Sequence, residues 1–160
     1  MILVPPAAFK TIVDDAEAAY PNECCGLLIG RSPAAATVLV TDVRSSRNLD
    51  PGRGDRFEID PQVRFDVMRS LEGGPDRIVG HYHSHPGLPA QPSARDLEMA
   101  WEPDLVWLIT SVMDGQAVHT TAHVVDSEGR QFREIGLRTT DWGPYAGTAP
   151  NTDRDDGTGR

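Results

Sequence analysis

The chain has 160 residues, 39% of them hydrophobic, enough for one domain with a real core. A formal net charge of −9 argues against a nucleic-acid partner, because gripping a phosphate backbone takes clustered lysine and arginine. The apolar start ahead of Pro5 is too short for a secretory h-region, and no run reaches the roughly 20 apolar residues of a membrane span. A cytoplasmic protein without a membrane partner is expected.

In chain order, residues 1–4 read as a short strand. Pro5 and Pro6 then open a helix over 5–20, in which Phe9, Ile12, Val13, Ala16 and Tyr20 recur at helical spacing before Pro21 stops it. Residues 24–31 and 35–44 read as strands joined at the turn-like "SPA". Residues 45–55 are a loop by composition, and "RFEI" at 56–59 reads as a short strand. A second helix covers 60–74, with Asp60 as its cap, Pro61 at its first position and Gly73 ending it. Its core side is expected to carry Val63, Val67, Met68 and Leu71.

Strand 77–84 alternates and runs into the proline-rich "HPGLPAQP", after which "SARDLEMAW" opens a short third helix. Residues 104–112, 117–125 and 130–139 read as three more strands, parted by the turn signals "MDGQ" and "DSEGR". Beyond Leu137 little remains to bury, so 139–160 is expected to be a flexible acidic tail. The expectation is a single α+β domain over 1–138, a mixed sheet flanked by helices.

Cys24 and Cys25 are adjacent and have no other cysteine to pair with, which suits a reducing compartment. In the apolar run "ECCGLLIG", Cys25 reads as a small buried hydrophobe. Cys24 as a nucleophile served by a nearby histidine is the weaker alternative.

Three of the five histidines, His81, His83 and His85, alternate along one strand and therefore share a face. Two imidazoles at a strand end, followed by Asp96 on the next element, offer three ligands for zinc with a fourth position open. A simpler reading takes Ser93 and Asp96 as a capping box and leaves the histidines to decorate a strand end.

"HSHPGLPAQPSARD" resembles the signature of the JAMM (MPN-plus) metallopeptidases: H-x-H-P, six residues, then S-x-x-D. The family's upstream glutamate is matched by Glu23 in "YPNECCGLLIG", and "RFEIDP" also looks like its prokaryotic members. The resemblance spans roughly residues 5 to 125. It implies an MPN/JAMM-like, cytidine-deaminase-like fold with a curved sheet. His83, His85 and Asp96 would hold one Zn2+ per chain, Glu23 would act as general base and then general acid, and Ser93 would help hold the oxyanion. The implied substrate is a ubiquitin-like or sulfur-carrier protein with a C-terminal Gly-Gly tail, cleaved at the amide bond beyond it.

His81 falls at a variable position of the pattern and is expected to be a half-exposed strand histidine. Ser84 would face away from the ligands, and His119 and His123 lie outside the pattern with no role assigned. The short stretch between Asp96 and Asp104 leaves no room for the large insertion of chain-specific deubiquitinases, which favours the compact prokaryotic type. The alternative is a non-catalytic MPN-type scaffold. Such members characteristically lose metal ligands, whereas this chain keeps them all. Oligomeric state is left open.

Overall fold

In the computed structural model, residues 1–126, 128 and 131–140 are described; 141–160, most of the expected tail, lie outside the described residues. The first half of the chain runs through β1 (Ile2–Val4), α1 (Pro6–Ala19), β2 (Cys25–Ala34), β3 (Thr37–Ser46) and α2 (Pro61–Ser70). The second half follows with β4 (Arg77–Pro86), α3 (Ala94–Glu98), β5 (Val106–Met113), β6 (Gln116–Val125), β7 (Phe132–Ile135) and β8 (Leu137–Thr139). Among the described residues the strands form one mixed sheet in the order β7-β6-β5-β4-β2-β3-β1-β8. This is the α+β architecture expected.

The two faces of the sheet do different work. Pro6 sits in the first turn of α1, where its missing N–H costs nothing, and Ala8, Ile12 and Ala16 recur every four residues to make a buried stripe. That stripe packs on Leu28, Tyr82, Leu108 and Ala122, which share one side of the sheet. Fully buried Ile12 alone contributes about 1.5–3 kcal/mol. Gly26 lets Tyr82 lie flat across β2, since a Cβ there would collide with the Tyr82 ring. The Tyr82 hydroxyl then reaches Asp15 of α1 and, at 3.2 Å, Ser45. The histidine strand is thereby fastened to α1 from behind.

The opposite face carries the alternate residues. Register places His85 beside Ser111, His83 beside Ile109 with Thr121 one strand further, and His81 beside Trp107 with His123 one strand further. Asp60 caps α2 by accepting from the Gln62 N–H at 2.9 Å. That helix covers part of the face by setting Val67 on Leu27 and Ile29. Asp114 and Gly115 both take positive φ, as the two-residue hairpin expected between β5 and β6 requires.

Several expectations fail, each for a tertiary reason. The strand expected over 130–139 divides at Gly136: β7 pairs antiparallel with β6 and β8 pairs parallel with β1. Gly136 thus joins the two edges of the sheet, and residue 139, where the loose tail was expected to begin, is still paired in β8. "RFEI" makes only an isolated bridge, Ile59 to Asn48. Met68 is 55% exposed because α2 turns only Val67 fully inward, with Val63 and Leu71 half-buried beside it. Tyr20, at the end of α1, is exposed as well.

Candidate metal centre

β4 is central in the sheet, so its C-terminal end carries side chains into a site walled on both sides. The Nε2 atoms of His83 and His85 lie 3.1 Å apart. Asp96 Oδ1 is 3.3 Å from His83 Nε2, and Oδ2 is 3.4 Å from His85 Nε2. One ligand atom from each of the three falls within 4.8 Å of the others, and all three residues are buried.

Asp96 reaches this position through the local chemistry of α3. Ser93 Oγ accepts from the Asp96 N–H at 3.1 Å, while Asp96 Oδ2 accepts from the Ser93 N–H at 2.7 Å, a complete capping box. The cap and the approach to the histidines are therefore one geometry here: the turn that satisfies the helix end also aims the carboxylate at His83 and His85.

The donor set suits zinc. Two imidazole nitrogens and a carboxylate converge, and among the described residues no lysine or arginine forms an ion pair with Asp96 or Glu23. His85 Nδ1 lies 3.0 Å from the Pro89 carbonyl, which can only accept. Nδ1 therefore carries a proton in that contact, and Nε2 of the neutral ring keeps its lone pair for a metal. His83 is held differently. Its Nδ1 has no hydrogen-bond partner among the described residues, and the ring is fixed by Phe57, stacked at 4.4 Å, and Trp107, edge-on at 5.8 Å.

Burial disfavours the charged form of Asp96, but the attraction of the adjacent His83 and His85 imidazoles outweighs it and holds the carboxyl well below its usual range. Burial also pushes His83 down, toward the neutral form a ligand needs. For His85 burial works the same way, yet the contacts with Asp96 and Pro89 reverse the direction and raise it.

Glu23 stands beside this cluster, with Oε1 3.9 Å from His85 Nε2. Burial lifts its pKa to about 8, although His85 pulls the other way. Ser84 fixes the backbone next to it. Its hydroxyl accepts from the Cys24 N–H at 2.8 Å, and its own N–H donates to the Cys24 carbonyl at 3.3 Å. Ser84 points away from the His83 and His85 face, as expected, and ties the backbone beside Glu23 to the histidine strand. Burial drives the thiols of both Cys24 and Cys25 up to about 12, which leaves neither as a thiolate at neutral pH.

A comparison with protein families matches residues 5–124 to the prokaryotic homologs of the JAB domain. The chain belongs to this family. The desampylase of Haloferax volcanii is 37% identical over 117 residues, covering 73% of this chain and 78% of that protein. The CysO-cysteine peptidase of Mycobacterium tuberculosis is 29% identical over 109 residues, covering 66% and 69%. Among solved structures, protein DSY2949 of Desulfitobacterium hafniense superposes with a TM-score of 0.72 at 30% identity, covering 88% of this chain and 94% of that one.

Within this JAB-domain chain the pattern residues His83, His85, Asp96, Ser93 and Glu23 come together. His81 does not join them and is buried, against expectation. Its ring packs edge-on against Trp107 at 4.0 Å, and burial pushes its pKa down to about 3. Trp107 arrives from β5, so nothing local to the histidine run announces that cover. Sequence reasoning also missed Phe57 and Asn48. The Asn48 side-chain amide donates to the Glu23 carbonyl at 3.1 Å and to Arg56 O at 2.8 Å, binding the 48–58 loop to the start of β2. Phe57 lines a cleft of about 200 Å3 beside the cluster, together with Ile59, His81, Trp101 and Trp107. Glu23 lines another of about 400 Å3.

Proposed function

We propose that this protein is a zinc-dependent peptidase or isopeptidase that hydrolyses the amide bond after the C-terminal Gly-Gly tail of a ubiquitin-like or sulfur-carrier protein. The observation that carries the reading is the convergence of His83, His85 and Asp96 within 4.8 Å, with the buried Glu23 carboxyl 3.9 Å from His85. Relatives named as a desampylase and a CysO-cysteine peptidase support the substrate class. The proposed place of action is the cytoplasm. No helix among the described residues is long and apolar enough to cross a membrane, and both cysteines are free thiols.

His83 and His85 would hold the metal through Nε2 and Asp96 through its carboxylate. Zinc bound there supplies Lewis acidity, making a water-derived nucleophile available near neutral pH, at a pKa of about 7. Glu23 takes up a proton at its carboxylate and returns it to the departing amine. Burial raises the carboxyl's proton affinity while a bound cation favours its ionised form, and the two together suit a group that must both accept and donate a proton. Ser93 Oγ accepts from the Asp96 N–H, so the hydroxyl's own proton is left for the substrate carbonyl oxygen as negative charge develops on it.

The test is incubation of the zinc-loaded protein with the host's Gly-Gly-ending carriers, each fused to a C-terminal extension, with products read by mass spectrometry. The expected product is a carrier ending at Gly-Gly. Glu23→Gln should keep zinc and carrier binding while turnover falls by about 10²–10⁴. Failure of the zinc-loaded protein to cut any carrier would sink the reading.

A further inference from the structure

We propose that Thr121, backed by His123, is a positioning residue of the metal centre. With Ser111 it pins residues 86–92 from below and so holds in place the Pro89 carbonyl that orients His85. The inference rests on the reading of His83, His85 and Asp96 as a metal centre.

The loop links the two histidines to Ser93 and Asp96, yet Pro86, Pro89 and Pro92 leave it short of N–H groups for backbone bonding. Its consecutive carbonyls are taken instead by side chains from the sheet. Ser111 Oγ donates to Leu88 O at 2.6 Å, His85 Nδ1 meets Pro89 O at 3.0 Å, and Thr121 Oγ1 donates to Ala90 O at 2.5 Å. The Gly87 N–H, donating to Val112 O at 2.7 Å, anchors the loop at its start.

Counting protons fixes the direction of this chain. A carbonyl only accepts, so Thr121 spends its single hydroxyl proton on Ala90. At its other contact, 2.9 Å from His123 Nε2, it must therefore accept, which puts a proton on that nitrogen. Thr121, His123 and Ala90 are all buried, so water does not substitute for these bonds.

The consequence reaches the metal site through Pro89. The Pro89 carbonyl keeps the proton on His85 Nδ1 and turns Nε2 toward the metal. The Pro89 carbonyl also accepts from the Gln91 N–H at 2.8 Å, and no substitution removes a backbone carbonyl, so side-chain control over its position falls to the bonds on its two neighbours. Thr121 and Ser111 hold the residues directly after and before it. A loosened loop lets His85 rotate and shifts the start of α3, from which Asp96 projects.

The experiment measures Zn2+ affinity of the metal-free full chain by competition with a chromogenic chelator, alongside thermal stability of the same metal-free samples. Thr121→Val keeps the shape but removes the hydroxyl and should weaken zinc binding by about 10–100-fold, the usual range for groups behind a ligand. Thr121→Ser restores the donor and should bring affinity back to within roughly threefold of the original. The Co2+-substituted Thr121→Val protein should show displaced visible d–d bands, reporting altered ligand geometry. A folded Thr121→Val protein that binds zinc as the original does, with only its melting temperature lowered, overturns the proposal and leaves Thr121 a structural residue. Should Thr121→Val not fold, Ser111→Ala makes the same test at the Leu88 carbonyl, and unchanged affinity there overturns it equally. Absence of zinc uptake by the unsubstituted protein overturns the metal-centre reading itself, a different result from uptake that the variants leave unaltered.

Discussion

In the metal-free protein, Glu23→Gln should be more stable than the original, and increasingly so as pH rises. Glu23 is 6% exposed, and burial lifts its pKa from 4.5 to about 8 against the opposing pull of His85. An acid with a raised folded pKa keeps its proton in the native state where the unfolded chain has already lost it. Its contribution is therefore full below pH 4.5, shrinks as pH rises, and is spent near pH 8. At about 1.4 kcal/mol per unit, a rise of this size is worth at most about 5 kcal/mol, and water entering the site reduces it. Glutamine carries no charge at any pH and escapes the penalty. Urea unfolding at pH 5, 7 and 9, with a chelator present, should show a gap of at most about 1 kcal/mol at pH 5 that widens to roughly 2–5 kcal/mol at pH 9. The chelator matters because a bound cation favours the ionised carboxylate and masks the effect. A gap that stays flat or narrows with pH would mean that Glu23 is solvated, and the argument for a carboxyl poised near neutrality would fail.

Two further outcomes follow from the site. His83→Ala and Asp96→Ala should lose zinc while His81→Ala keeps it, since His81 packs on Trp107 outside the cluster; equal zinc loss in His81→Ala, read by elemental analysis, would refute the ligand assignment. Ser93→Ala should lose about 0.5–2 kcal/mol of stability with the cap, and kcat should fall by about 10²–10³; a kcat unchanged once folding is accounted for would leave Ser93 as a cap alone.

Much of the site was legible because its chemistry is local. Alternation along one strand puts His83 and His85 on one face, and the three-residue spacing from Ser93 to Asp96 is that of a capping box; the resemblance of the whole pattern to the JAMM signature, Glu23 included, is what joined them into one site. What escaped depends on partners far along the chain. His81 reads as an exposed strand histidine until Trp107 is seen to cover it. Thr121 and His123 look like ordinary residues of an alternating strand, and only the register with β5 brings them under the proline loop. Gly136 sits inside what reads as a continuous strand, and no local signal says that its two sides pair with opposite ends of the sheet. Met68 misled for a related reason: a helical stripe reports which residues are apolar, not how wide a strip the neighbouring sheet covers.

The joining of the sheet's edges at Gly136 bears on how the protein is made. β8 pairs with β1, residue 137 against residue 2, nearly the whole described chain apart. Such a contact carries a large loop-closure cost and forms late. During synthesis β1 emerges first and waits for a partner that leaves the ribosome only after β2 to β7 have appeared. Until then the outer edge of β1, whose inner edge pairs with β3, is unpaired and able to pair with another chain. A stall or truncation before residue 137 leaves that edge open even when Glu23, His83, His85 and Asp96 have all been made. Aggregation of nascent chains should therefore depend more on substitutions in residues 137–139 than on substitutions at the metal centre.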